Sequence, residues 1–213
     1  MSEQQFSALS LGILDGDSDA VLEEVNNMLA DGVSPQALME EHLIPAMQET
    51  GKRFEEGEYF VPELMLAARS MKEAMKVLNP MLSSSGVEKL GRVVIGTVHG
   101  DLHDIGKNLV ASMLEGGGFE VIDLGVDVPA EKFVDMAKVK DNTIICLSAL
   151  LTTTMPQMKK VIETLQEAGI RNNVFVLIGG APVTEDFSKN IGADGYSSNA
   201  SAAVTLAKSL LKK

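Results

Sequence analysis

Two acids and two histidines crowd the segment His99-Gly100-Asp101-Leu102-His103-Asp104-Ile105-Gly106, just after the apolar run Val93-Val94-Ile95. Asp101 and His103 stand two apart, so in an extended loop their side chains point the same way and can touch. An aspartate that accepts from one imidazole nitrogen fixes the tautomer and leaves the other nitrogen free to bind a metal. Gly106 removes a side chain where something bulky would approach the backbone. A second group of polar residues, Ser148-Ala-Leu150-Leu-Thr152-Thr-Thr154, follows another apolar run, Thr143–Leu147.

Both groups need elements to hold them. From about residue 90 onward, strand-like runs at Val93–Val98, Glu120–Leu124, Thr143–Leu147 and Val174–Ile178 alternate with helical stretches at Lys107–Leu114, Ala130–Val139, Met155–Ala168, Glu185–Asn190 and Ala200–Leu211. Strand alternating with helix predicts a parallel sheet covered on both faces, of five strands and flavodoxin/Rossmann-like. Ligands of such sheets bind at the carboxyl ends of the strands, where both polar groups fall.

The first 82 residues read differently. Apolar positions recur at helical spacing through Phe6–Leu14, Val21–Leu29, Leu38–Met47 and Leu64–Leu78. Ser34-Pro35 is a cap and first-turn pair, and Pro45 predicts a kink or an early stop. The expectation is an N-terminal four-helix-bundle cap over residues 1–88, joined by a polar linker and hinge at Ser83–Lys89 to an α/β domain over 89–213.

Composition narrows the function. The chain has 213 residues, a net charge of -12 and 4% aromatic residues without Trp. Nucleic acid is disfavoured as a partner, because neutralising phosphates needs a basic face. No run of about 18 apolar residues suggests a membrane span, and the N-terminus lacks the pattern of a signal peptide. With one cysteine, Cys146, a cytoplasmic location is the expectation. Twelve methionines are read mainly as core filler.

Four chemistries compete for the site. The first turn is not the glycine pattern of a dinucleotide fold, and the third strand ends in Cys146-Leu147-Ser148 where a phospho-acceptor domain would carry an aspartate. A hydrolytic metal site built from His99, Asp101, His103 and Asp104 would crowd four ligand types too closely to converge on one ion. The fourth is a large planar metallocofactor with one axial histidine. Taken singly, the pieces are ordinary: Gly179-Gly180 is a strand-to-loop turn, Ser148 and Thr152–Thr154 are caps for the helix near Met155, and Cys146 is core. His99 is then a loop histidine and His42 a surface one.

Jointly they say more. Asp101-x-His103-x-x-Gly106, then Ser148-x-Leu150, then Gly179-Gly180 resembles the cobalamin-binding signature of corrinoid proteins. Gly51-x-x-Phe54-x-x-Gly57-x-x-Phe60-x-Pro62-Glu63-Leu64 looks like the cap module of methionine synthase and of methyltransferase corrinoid proteins. The resemblance covers nearly the whole chain. It implies cobalamin (as methylcobalamin and cob(I)alamin, or a related corrinoid) bound base-off and His-on, with His103 as the metal ligand and Asp101 and Thr154 as its relay. Ser148 would meet the displaced benzimidazole, and Gly106, Gly179 and Gly180 would admit the nucleotide tail. Leu150 and Thr152 would contact the cofactor, with Tyr196-Ser197-Ser198-Asn199 as a further loop near the tail, and Leu64, Met65, Leu66 and Met71 would cover the upper face.

The same resemblance implies a carrier without catalysis of its own. It would accept a methyl group from a substrate-specific corrinoid methyltransferase and deliver it to a second methyltransferase, with coenzyme M or tetrahydrofolate as the final acceptor. A reductive activator protein would be a third partner. A carbon-skeleton mutase would carry a substrate barrel and a B12 sensor an output domain, so both are less expected than a carrier; a B12-binding sensor is kept as the alternative, and a metal-dependent hydrolase-like site as a further one.

Overall fold

Short polar residues start most helices of the N-terminal part. Ser7 Oγ accepts from the Ser10 N–H ahead of α1 (Ala8–Asp15), and Asp17 caps α2 (Ser18–Ala30) in the same way. Helix α1 stops at Gly16, whose φ of 70° is left-handed and where a Cβ would meet Leu66 Cβ at 2.5 Å. Ser34 Oγ accepts from the Ala37 N–H at 3.1 Å to open α3 (Pro35–Ala37). The early stop expected at Pro45 does not occur. A π-helical segment, Leu38–Leu43, leads into α4 (Ile44–Glu55), so Pro45, which has no N–H to give, lies where the π hydrogen-bonding pattern changes to α. The last helix of this part, α5 (Val61–Ser84), begins where Glu63 accepts from the Phe60 N–H.

The computed structural model describes residues 6–84, 89–139 and 143–211. The chain forms two units, residues 1–89 with 115–118, and 90–114 with 119–213. Of the linker expected at Ser83–Lys89, Ser83 and Ser84 belong to α5, and residues 85–88 lie outside the described residues. Leu9, Ile13, Leu38, Leu43, Leu64, Met71 and Leu78 are buried in the helical part. Met39, Met47 and Met75 are buried too, whereas Met65 and Met81 are exposed. His42 is not a plain surface residue: it is half-buried, and its Nδ1 lies 2.9 Å from Ser7 Oγ.

The second unit is a five-stranded parallel sheet in the order β2-β1-β3-β4-β5. Its strands are β1 (Arg92–Thr97), β2 (Glu120–Asp123), β3 (Thr143–Ser148), β4 (Val174–Gly179) and β5 (Gly195–Tyr196). Every residue of β1 is buried, as a central parallel strand covered on both faces requires. Helices α6 (Ile105–Gly116), α7 (Ala130–Ala137), α8 (Pro156–Glu167), α9 (Glu185–Ile191) and α10 (Ala200–Leu210) connect or follow the strands. The fifth strand passes through Tyr196, in the stretch expected to be a loop, and Tyr196 pairs with Ile178. Asn199, from the same stretch, caps α10 by accepting from the Ala202 N–H at 2.7 Å.

Strands β2 and β3 lie on opposite sides of β1, so the chain changes direction across the sheet there. Sheets of this topology bind ligands outside the carboxyl ends of the strands at that change, here β1 and β3. Among the described residues, no helix is long and apolar enough to cross a membrane.

Candidate cofactor site

The β1–α6 loop carries Asp101 and His103, and the β3–α8 loop carries Leu150 to Thr154. Asp101 is fully buried, and five donors meet its carboxylate. Oδ1 accepts from the His103 backbone N–H at 3.1 Å and from His103 Nδ1 at 2.7 Å. On the other side, Oδ2 accepts from the Leu150 N–H at 2.8 Å, from Thr154 Oγ1 at 2.7 Å and from the Leu151 N–H at 3.4 Å. Burial alone would push this carboxyl upward. The hydrogen bonds from Thr154, Leu150 and His103 outweigh it and hold the group well below the usual carboxylate range.

An ionised, acceptor-only partner makes His103 Nδ1 a donor, so in the neutral ring the lone pair is on Nε2. The His103 side chain is 51% exposed and is anchored at its backbone as well, because Thr97 Oγ1 donates to its carbonyl at 2.8 Å. One imidazole nitrogen is thus fixed and the other presented outward as a base or a ligand. The Thr154 hydroxyl has one proton and two acceptors, Asp101 Oδ2 and the Leu151 carbonyl at 2.9 Å. Thr154 does not cap α8: the cap position belongs to Met155, which makes no side-chain cap bond.

Exposed aliphatic side chains stand in the same loop as His103 and in the β3–α8 loop. Leu102 and Ile105 are each 72% exposed, and Leu150 and Leu151 are also exposed. Exposed large aliphatic residues on the two loops that meet at Asp101 suit a flat, largely apolar ligand better than a hydrated ion. Of these four, only Leu150 belongs to the sequence signature; the other three follow no motif spacing and are recognised by their exposure.

The three glycines of the signature differ. At Gly106 a Cβ would meet nothing within 4 Å, so the space beside it is open. At Gly179 it would approach the Ser197 carbonyl oxygen at 3.2 Å. Gly180 has a φ of 135° and a Cβ there would sit 1.9 Å from the Ala149 oxygen, so glycine is required at this position by the fold itself. Ser148 ends β3 half-buried, opposite Gly179 in the sheet register. Thr152 is exposed and takes no part in the hydrogen bonds around Asp101.

His99 and His103 do not converge. His99 Nδ1 lies 2.7 Å from Asp127 Oδ1, whereas His103 turns to Asp101. Among the described residues, no three His, Cys, Asp or Glu side chains come together as metal ligands, which removes the ground for the hydrolytic reading. Cys146 is buried, and burial pushes its thiol up to about 12, so it carries no thiolate near neutral pH.

These features fit a corrinoid, and the comparisons agree. A model described as the B12 binding domain matches residues 91–205, and a second one matches residues 6–79. Trimethylamine corrinoid protein 1 of Methanosarcina acetivorans is 44% identical over 201 residues, covering 93% of each chain. Dimethylamine corrinoid protein 1 of the same organism is 46% identical over 212 residues, covering 98% of each. Among solved structures, a cobalamin-binding protein from Desulfitobacterium hafniense DCB-2 superposes with a TM-score of 0.77 at 36% identity, covering 95% of this chain and 97% of that one. The methanol:cobalamin methyltransferase complex MtaBC from Methanosarcina barkeri gives a TM-score of 0.82 at 31% identity, covering 96% of this chain and 78% of that one.

Proposed function

This chain belongs to the B12-binding domain family, and we propose that it is a corrinoid carrier of methyl groups. In this reading it takes a methyl group from a substrate-specific methyltransferase and hands it to a second methyltransferase, with coenzyme M or tetrahydrofolate as acceptor and a reductive activator as a further partner. The amine-named relatives, matched over nearly their whole length, support a methylated amine as the source. When bound, the corrinoid's cobalt supplies a strongly nucleophilic centre that can take up and release a methyl group.

The protein's own part is ligation and protection. His103 Nε2 would hold the metal from below in place of the cofactor's own base, the base-off and His-on arrangement. Asp101 keeps Nδ1 protonated and the ring aimed, and Thr154 can lend or withdraw its hydrogen bond to Asp101 by turning to the Leu151 carbonyl. Such partners tune how strongly a ligating histidine donates. Ser148 would meet the displaced base, Gly106 and Gly179 would border its path, Gly180 would keep the β4 turn that shapes it, and Leu150 and Thr152 would line the approach. The helical unit, residues 1–88, would act as the cap that keeps water away. Its exposed apolar residues Phe60, Val61, Met65 and Leu66 support this better than Leu64 and Met71, which are buried.

The observation that carries the proposal is the Asp101–His103 pair, which holds Nδ1 at 2.7 Å and leaves a half-exposed ring in the same segment as the exposed Leu102 and Ile105. Mixing the apo-protein with hydroxocobalamin should give a spectrum without benzimidazole coordination, and His103→Ala should change the lower ligand. Methylation of the reduced holo-protein should require both an added methyltransferase and its methylated amine. Methyl transfer from the amine with no partner, or specific binding to promoter DNA, would overturn the carrier reading.

A further inference from the structure

Among the described residues, Asp127 is the one non-glycine with a left-handed backbone, at φ 53°. Aspartate visits that region more readily than most side chains, but surrounding contacts must still hold it there. The contacts at Asp127 all reach into the loop that carries His103. Its Oδ1 accepts from the Gly100 N–H at 2.7 Å, and its own N–H donates to the Asp101 carbonyl at 2.9 Å. On either side of it, the Gly125 carbonyl accepts from the Thr97 N–H and the Val128 N–H donates to the Thr97 carbonyl, both at 3.0 Å.

Asp127 therefore grips the peptide before Gly100 and the peptide after Asp101. Between those two points lies the Asp101 Cα, whose rotation would swing the carboxylate away from His103 Nδ1. We propose that Asp127 is a positioning residue for the metal-ligand histidine, acting from the β2–α7 loop through the backbone of Asp101. The inference rests on the reading of His103 given above.

The simpler account, a surface ion pair with His99, explains less. Both partners are largely exposed, and such pairs contribute little. An ion pair also has no need of a left-handed backbone. The Asp127 carboxyl is held below its usual range first by the Gly100 N–H and only then by His99.

Three full-length variants separate the accounts. Asp127→Gly accepts the backbone angle but loses the carboxylate, Asp127→Asn keeps an acceptor oxygen, and His99→Ala removes only the ion pair. Nitrogen-15 NMR of the apo-protein at fixed pH reads the tautomer of the His103 ring. Electron paramagnetic resonance of the protein loaded with cobalamin and reduced by one electron reads histidine coordination. Asp127→Gly should lower the ratio of the Nδ1–H to the Nε2–H tautomer about three-fold, a smaller effect than the ~10-fold or more in metal affinity or activity that losing a direct partner of a ligating histidine costs. It should also give a fraction of spectrum without histidine coordination, while Asp127→Asn and His99→Ala match the parent. Asp127→Gly matching the parent in both spectra, or His99→Ala reproducing its effect, would overturn the proposal. If His103→Ala left the loaded protein's spectrum unchanged, the ligand reading would fall, and the apo-protein tautomer would still score Asp127 separately.

Discussion

At the scale of single residues, the site turns on a buried carboxylate that keeps its charge. Asp101 has no exposure, yet donors meet both of its oxygens, so the cost of burial is met by hydrogen bonds rather than by neutralisation. Its folded value lies below its unfolded value near 3.8. The stability that Asp101 contributes is therefore fully present above pH about 4 and is lost as pH falls through its lower folded value. Replacing it with asparagine puts an amide N–H₂ against one set of donors and should cost about 1–3 kcal/mol near neutral pH. In urea unfolding of the apo-protein, the gap between parent and Asp101→Asn should be constant above pH 4 and narrow below it. A gap that widened in acid would mean that Asp101 is not the charged partner of His103.

Strand ends and loops decide what the glycines do. Gly180 is demanded by its neighbours, whereas Gly106 stands beside open space in the first turn of α6. Gly180→Ala should destabilise the apo-protein by about 3 kcal/mol or more, since overpacking and a left-handed alanine act together. Gly106→Ala should leave the apo-protein as stable or up to about 1 kcal/mol more stable, because alanine is the better helix former, and should weaken cobalamin binding. Titration of each apo-variant with hydroxocobalamin beside its urea midpoint tests the pair; unimpaired binding by Gly106→Ala would mean that nothing bulky approaches there. The alternation of strands and helices was legible because period and chain order set it, and so was the pairing of Asp101 with His103, two apart in one loop. Less legible were contacts made across loops. Thr97 and Asp127 reach the His103 loop from a strand end and from a neighbouring turn, and no local spacing reports such contacts. The fifth strand was expected but its place was not legible, for another reason: with two residues, Gly195 and Tyr196, it is too short to show a pattern.

On the scale of the whole molecule, the helical unit has more apolar surface than its own folding uses. Phe60, Val61, Met65 and Leu66 are all exposed at the start of α5, while Leu64 of the same turns is fully buried. Val61 and Met65 are four apart and share one side of the helix. Substituting a buried residue tests the fold, and substituting an exposed one tests the cap. Leu64→Ala should cost about 2–5 kcal/mol. Phe60→Ser and Met65→Gln should change stability by no more than about 0.5 kcal/mol, as exposed positions generally do. If the exposed residues form the cover over a bound corrinoid, the two surface variants should still bind cobalamin through His103. Their methylated holo-proteins should lose the methyl group faster under light, because fewer side chains hold the separated pair together long enough to recombine. The measurement is the photolysis rate of parent and variants at equal loading, beside their urea midpoints. Equal rates would mean that the apolar start of α5 faces something other than the cofactor, and a faster rate with an unchanged midpoint would assign these side chains to shielding rather than to the fold.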